Sequence, residues 1–124
     1  MSIETNKQAA VDFLQRVVKG RINEAYAEYV DMNGKHHNPY FPAGFAMLKQ
    51  AMIDNETQFP NKQYMIKNVL GDGDLVAVHG RIVLAPDKNL EVTHLFRFAG
   101  GKIVEMWDVA MPWPADSLNK DGML

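Results

Sequence analysis

The side chains best placed for chemistry are Asp108, His79, His94, Arg81 and the pair His37 and Asn38, because each sits beside apolar sequence. Asp108 lies in the run KIVEMWDVAMPWP (102–114), between Met106 and Trp107 on one side and Val109 and Ala110 on the other. Burying a bare charge costs several kcal/mol or more, so a carboxylate in this company is either hydrogen-bonded structure or chemistry. Desolvation strengthens a carboxylate's hold on a proton, which suits a general base that takes a proton from the carbon beside a ketone and returns it. The structural alternative is an aspartate tied to backbone N–H groups near a strand end. His79 or Asn38 could hydrogen-bond the enolate oxygen as charge develops there. Arg81 could bind an acidic substrate or form an ordinary ion pair. A lone histidine on an apolar face is more often a satisfied core residue; two on one face, with Arg81 nearby, bring the site reading level with the core one.

His37 reads either as a donor into a pocket or as a pin for its loop, with Asn38 making an Asx-type turn before Pro39. His36 is expected to face solvent. Tyr40, Phe41, Phe45, Phe59, Trp107 and Trp113 could line a hydrophobic ligand pocket, and core packing explains most of them equally well. Tyr40 and Phe96 are taken as candidate substrate contacts, with His94 in the wall. No HxH, HxxxH or HExxH spacing links the four histidines, so no metal site is expected.

These residues need elements to hold them. Ala10, Phe13, Leu14 and Val17 recur at helical intervals after Thr5, which has capping-box spacing to Gln8, and the run ends at Gly20. A shorter helix from about Asn23 carries Ala25, Tyr26, Tyr29 and Val30 and ends before the Asn33-Gly34 turn signal. The loop 35–44, KHHNPYFPAG, is stiffened by two prolines and opens a third helix with Leu48, Ala51, Met52, Asn55 and Phe59 on one face and Pro60 as its stop. Four β segments follow at 63–70, 74–84, 90–98 and 102–111, joined by hairpin linkers. Helices first and an antiparallel meander after them predict an α+β domain with the helices on one face of a single sheet.

Strand parity decides which polar groups meet. A four-residue loop pairing Ala85 with Leu90 would set His94 opposite Arg81 and His79 opposite Phe96, all on one face. A three-residue Ala99-Gly100-Gly101 loop with a bulge would set Asp108 opposite Val92, on the face of His94; a plain two-residue Gly-Gly turn would send it to the other face. With Asp108 inward, Ile103, Trp107 and Val109 form an apolar outer face that predicts a partner, most simply a second copy of the chain.

At 124 residues the chain is one domain, and its formal net charge of -2 without a basic run argues against nucleic acid or an anionic membrane as partner. There are no cysteines, hence no disulfide, thiol nucleophile or thiolate metal site. The opening residues MSIETNKQ lack an apolar signal region and no run approaches the roughly 18 apolar residues of a membrane span, so a soluble, cytoplasmic protein is expected.

His37-Asn38-Pro39 after two helices, GDLVAVH at 73–79, FRF at 96–98 and GKIVEMWDV at 101–109 together resemble the SnoaL-like polyketide cyclase family of the nuclear transport factor two-like superfamily. The resemblance implies a cone: a curved antiparallel sheet around three helices with a pocket at the open end. It also implies ring closure by intramolecular aldol chemistry without metal or cofactor, an aspartate as acid/base at the position of Asp108, roles for His37, Asn38 and His79, and a homodimer. Many relatives carry an acidic residue where His94 stands and a polar one where Met106 stands, so a less polar pocket is expected here. The expected activity is an aldol-type cyclisation or isomerisation of a hydrophobic carbonyl compound, with Asp108 and His79 catalytic. The alternatives are a non-catalytic small-molecule binder of the same fold and an interaction module with a vestigial pocket.

Overall fold

The computed structural model describes residues 2–124. Three helices, α1 (Ile3–Val18), α2 (Ile22–Tyr29) and α3 (Phe45–Gln58), cover one face of a curved five-stranded sheet. The strands are β1 (Val30–His36), β2 (Gln63–Asp72), β3 (Leu75–Ala85), β4 (Lys88–Ala99) and β5 (Lys102–Pro112), in the spatial order β1-β5-β4-β3-β2. The α+β class, the three helices and the four-stranded meander are as the sequence predicts. α1 begins earlier than the Thr5 spacing suggests, because the Ser2 hydroxyl accepts from the Thr5 backbone N–H and caps the helix.

β1 is the element that periodicity does not disclose. It follows α2 without a loop and lies parallel to β5, and its residues are buried irregularly, without alternation. Helices and sheet meet in an aromatic core. Phe13 makes edge contacts with Tyr26 (5.3 Å between ring centroids) and Phe96 (5.9 Å), and Tyr26 meets Phe45 at 6.3 Å. No helix among the described residues is long and apolar enough to cross a membrane.

Two hairpins set the inner and outer faces. The β3–β4 turn uses only Pro86 and Asp87, with Ala85 opposite Lys88, and an extra residue at Leu84 then shifts the register, so that Val78 pairs with His94, His79 with Thr93 and Arg81 with Glu91. The turn is two residues shorter than expected, which alone keeps the faces; the extra residue at Leu84 makes the total slip odd, and an odd slip reverses faces. His94 points inward, toward the helices; His79 and Arg81 point outward.

The β4–β5 turn is a two-residue Gly-Gly turn, the form that places left-handed conformations at both central positions. Gly100 and Gly101 have φ of 57° and 79°, with Ala99 opposite Lys102. A bulge at Val104 then inserts one extra residue, which offsets the shorter turn and restores the parity. Asp108 consequently lies directly opposite His94 on the inner face, displaced from the expected partner Val92 but on the expected side. The same bulge turns Ile103 into the core, where it is fully buried, instead of onto the outer face with Trp107 and Val109.

Gly34 on β1 accommodates that bulge. A Cβ there would stand 2.3 Å from the Val104 carbonyl oxygen and 2.9 Å from the Phe45 ring. Backbone cannot yield as a flexible side chain can, so Gly34→Ala is expected to lower stability by about 1–3 kcal/mol. Urea unfolding checks this; unchanged stability would mean that the bulge has room to spare.

Candidate functional site

Polar side chains gather on the inner side of the sheet: His36, Tyr64, His94 and Asp108 from the strands, Tyr26 from α2 and Asn38 from the loop after β1. Strand alternation brings His94 and Asp108 inward from neighbouring strands, with Phe96 and Met106 as the next inward pair toward the core. Beyond Asp108 on the same face, Ala110 is exposed while its partner Val92 is buried, so the carboxylate stands at the margin of the packed core.

Asp108 is half-buried and its two oxygens differ. Oδ2 accepts a hydrogen bond from Asn38 Nδ2 at 3.0 Å; Oδ1 is buried and meets no donor among the described residues. Such an atom calls for an explanation, because an unpaired buried acceptor costs about 1–3 kcal/mol. Asn38 is itself fixed, its Oδ1 accepting from Tyr40 N at 3.0 Å in the expected Asx turn. The loop that carries it is pinned by His36, which donates from Nε2 to the Pro42 carbonyl (2.8 Å) and accepts at Nδ1 from Asn38 N (3.1 Å).

That arrangement reverses the expected roles of the paired histidines. β1 runs through His36, whose pairing with Met106 places it inside, buried, where solvent exposure was expected. His37 follows on the outer face, stacked on Trp107 at 4.9 Å with Nε2 against Glu105 Oε2 at 2.6 Å, and contributes nothing to a pocket.

His94 is 6% exposed, stacked parallel to Phe96 at 5.9 Å, with Nδ1 at 3.1 Å from the Tyr64 hydroxyl. Burial disfavours the imidazolium and holds the His94 pKa well below its ordinary value, against the opposing pull of the Asp108 charge. Burial also raises Tyr64, helped by Glu91, and Tyr26, helped by Asp108. Both phenols are thus neutral donors, that of Tyr26 directed at the Met52 sulfur (3.1 Å).

A depressed folded-state pKa has a definite consequence for pH. Below the unfolded value of about 6.5 the unfolded chain takes up a proton that folded His94 refuses, so stability is complete above that pH and declines as pH falls toward the folded value. The slope is at most about 1.4 kcal/mol per pH unit for one proton. His94→Gln, which keeps an acceptor for Tyr64, is expected to flatten the stability profile between pH 7 and 5. Denaturant titrations at several pH values check it; an unaltered slope would place the proton uptake elsewhere.

His79 and Arg81 are corrected along with the β3–β4 register. On the outer face His79 Nε2 hydrogen-bonds Glu91, its Nδ1 accepts from Asn68 (3.1 Å), and Arg81 lies over the Trp113 ring at 4.9 Å. Trp113 Nε1 donates to Glu91 at 3.2 Å, so these groups clip the chain after β5 onto the sheet. Tyr40 is 86% exposed at the loop tip, and Phe96 is wholly within the core beneath His94. Tyr64 and Tyr26 are the site residues that sequence reasoning passed over. Tyr64 was legible in principle, since it alternates with Ile66 on an apolar strand face.

Two open grooves lie to the side. One, about 470 Å³, runs between Phe59, Pro60, Val83, Leu84 and Pro86; the other, about 330 Å³, lies along α3 between Phe41, Met47 and Gln58. Neither has Asp108 in its wall. No group of three or more potential metal-ligating side chains is gathered among the described residues.

A family profile described as a SnoaL-like domain matches residues 10–106. Comparison with curated protein sequences gives no match. Among solved structures, AclR, a candidate hydroxylase of Streptomyces galilaeus, superposes with a TM-score of 0.78 at 17% identity, over 89% of this chain and 91% of the other. A candidate polyketide cyclase of Acidithiobacillus ferrooxidans gives 0.69 at 20% identity over the same shares, 89% and 91%. IdmH, a candidate polyketide cyclase of Streptomyces antibioticus, gives 0.67 at 16%, over 84% and 91%. At these identities the likeness is one of fold.

Proposed function

The chain belongs to the SnoaL-like domain family, and from that premise we propose that it is a cofactor-independent acid–base catalyst acting on a hydrophobic carbonyl compound, by aldol-type cyclisation or isomerisation. The observation that carries this reading is the buried, donor-free Oδ1 of Asp108, on the inner face beside a neutral His94. An oxygen that meets no protein donor has its lone pairs free for a substrate proton, and a neutral imidazole can give a hydrogen bond to a developing enolate oxygen without first losing a proton. Asp108 takes the α-proton and returns it after the bond change; His94 stabilises the oxygen; Asn38 holds the carboxylate in place. The inward neighbours of His94 and Asp108 along their strands, Val92, Phe96 and Met106, are apolar, which fits a substrate that is itself apolar.

The test needs no knowledge of the natural substrate. Wild-type protein in D2O is expected to accelerate α-hydrogen exchange of aryl 1,3-diketones over buffer, followed by NMR, and His94→Gln is expected to weaken the acceleration. No acceleration by wild type across such a panel would remove the reading.

Binding without turnover is the second reading, favoured by the 470 Å³ groove that does not include Asp108. Ligand affinity there would be indifferent to Asp108→Asn. Under either reading a second copy is expected against the outer sheet face, because an exposed apolar patch invites a partner. On that face Val109 is 73% and Met111 58% exposed, beside Trp107. Sedimentation equilibrium of wild type against Val109→Lys checks the dimer; a wild-type monomer at micromolar concentration would exclude it.

A further inference from the structure

We propose that Tyr64 is the positioning residue that fixes the tautomer of His94: its hydroxyl donates to Nδ1 and leaves the ring proton on Nε2, the nitrogen free to meet a ligand beside Asp108. Three observations support it. The Tyr64 hydroxyl lies 3.1 Å from His94 Nδ1 and has no other hydrogen-bond partner among the described residues. Were the phenol to accept instead, its own proton would be left unpaired in a buried place, at a cost of about 1–3 kcal/mol. Donation leaves nothing unsatisfied on Tyr64.

The second observation is how the ring reaches its partner. Tyr64 is on β2 and His94 on β4, with β3 between them. The phenol must cross β3, and it does so over Gly80: a Cβ at that position would stand 2.7 Å from Tyr64 Cε1. A glycine in a strand interior weakens it unless something needs the space, and here the space is shared by the Met65 carbonyl oxygen, 2.3 Å from such a Cβ, and the ring.

The third is the placement of what remains. Nδ1 is engaged from the β2 side, whereas Asp108 stands on β5, across the opposite flank of β4. Nε2 makes no hydrogen bond among the described residues. His36 shows the same tautomer reached differently, with Nε2 donating to the Pro42 carbonyl and so consumed in structure. In His94 the equivalent N–H is spare.

The catalytic consequence rests on the acid–base reading above; the tautomer does not, and the two are separable. Nitrogen-15 NMR of histidine-labelled protein, with His94 assigned by its loss in His94→Gln, is expected to show Nε2 protonated and Nδ1 bare in wild type, and a mixture in Tyr64→Phe. A wild-type Nδ1–H tautomer, or no change in Tyr64→Phe, overturns the proposal. In the diketone exchange assay Tyr64→Phe is expected to lower kcat on the order of tenfold with KM little changed. Unchanged kcat alongside the expected tautomer shift overturns the positioning role. Absence of exchange in wild type defeats the acid–base reading instead, and leaves the tautomer to the NMR result.

Discussion

Asp108→Asn is expected to cut α-hydrogen exchange by a factor on the order of 10²–10⁴, the range in which a positioned general base contributes. At about 1.4 kcal/mol per decade, that is roughly 3–5.5 kcal/mol of barrier. An amide has nearly the shape of the carboxylate but takes no proton, and its carbonyl oxygen can still accept from Asn38 Nδ2, so the loop should stay in place. The loss is therefore expected in kcat, with ligand affinity changed little. Parallel measurement of exchange and of binding by titration separates the two. Activity within a few-fold of wild type would leave Asp108 without a chemical role.

The largest expected effect on folding comes from Phe96, which is 0% exposed where helices and sheet meet. It makes the edge contact to Phe13 and lies flat beneath the His94 ring, so alanine there removes one aromatic link of the core and the floor of the site at once. Phe96→Ala is expected to cost about 3–5 kcal/mol, a large share of a small domain's total stability. Urea unfolding monitored by circular dichroism measures it. A loss under about 1 kcal/mol would mean that the core collapses readily around the gap.

What could be read from sequence followed the reach of local rules. The apolar spacing of Ala10, Phe13, Leu14 and Val17 depends only on the helix's own geometry, and α1 buries that face. Asp108 among apolar neighbours was equally legible, because the conflict between charge and surroundings is written in adjacent residues. The faces of the sheet were less so. On β3 a shorter turn at Pro86-Asp87 left the faces unchanged, and a single extra residue at Leu84 exchanged the inner and outer sets, sending His79 and Arg81 away from His94. On β5 a turn shorter than expected and a bulge at Val104 offset each other, and nothing near Val104 announces the bulge; Gly34, which makes room for it, belongs to a strand near the other end of the chain.

The exchange of roles between His36 and His37 has the same origin. β1 is buried irregularly and its register shifts between Val30 and Lys35, so the direction of each histidine was set by the pairing of His36 with Met106 on a distant segment. Tyr64 was missed because its importance comes from contact with His94 across Gly80, a relation among three strands. Local chemistry thus pointed to the carboxylate, while its companions were decided by register.

The central claim, that Asp108 is held for chemistry at some expense to the fold, is tested most directly by the stability of Asp108→Asn against wild type at neutral pH. Removing a charge whose Oδ1 has no donor should leave the variant equally stable or more stable. A loss of more than about 1 kcal/mol would contradict the account and make Asp108 a structural hydrogen-bond acceptor.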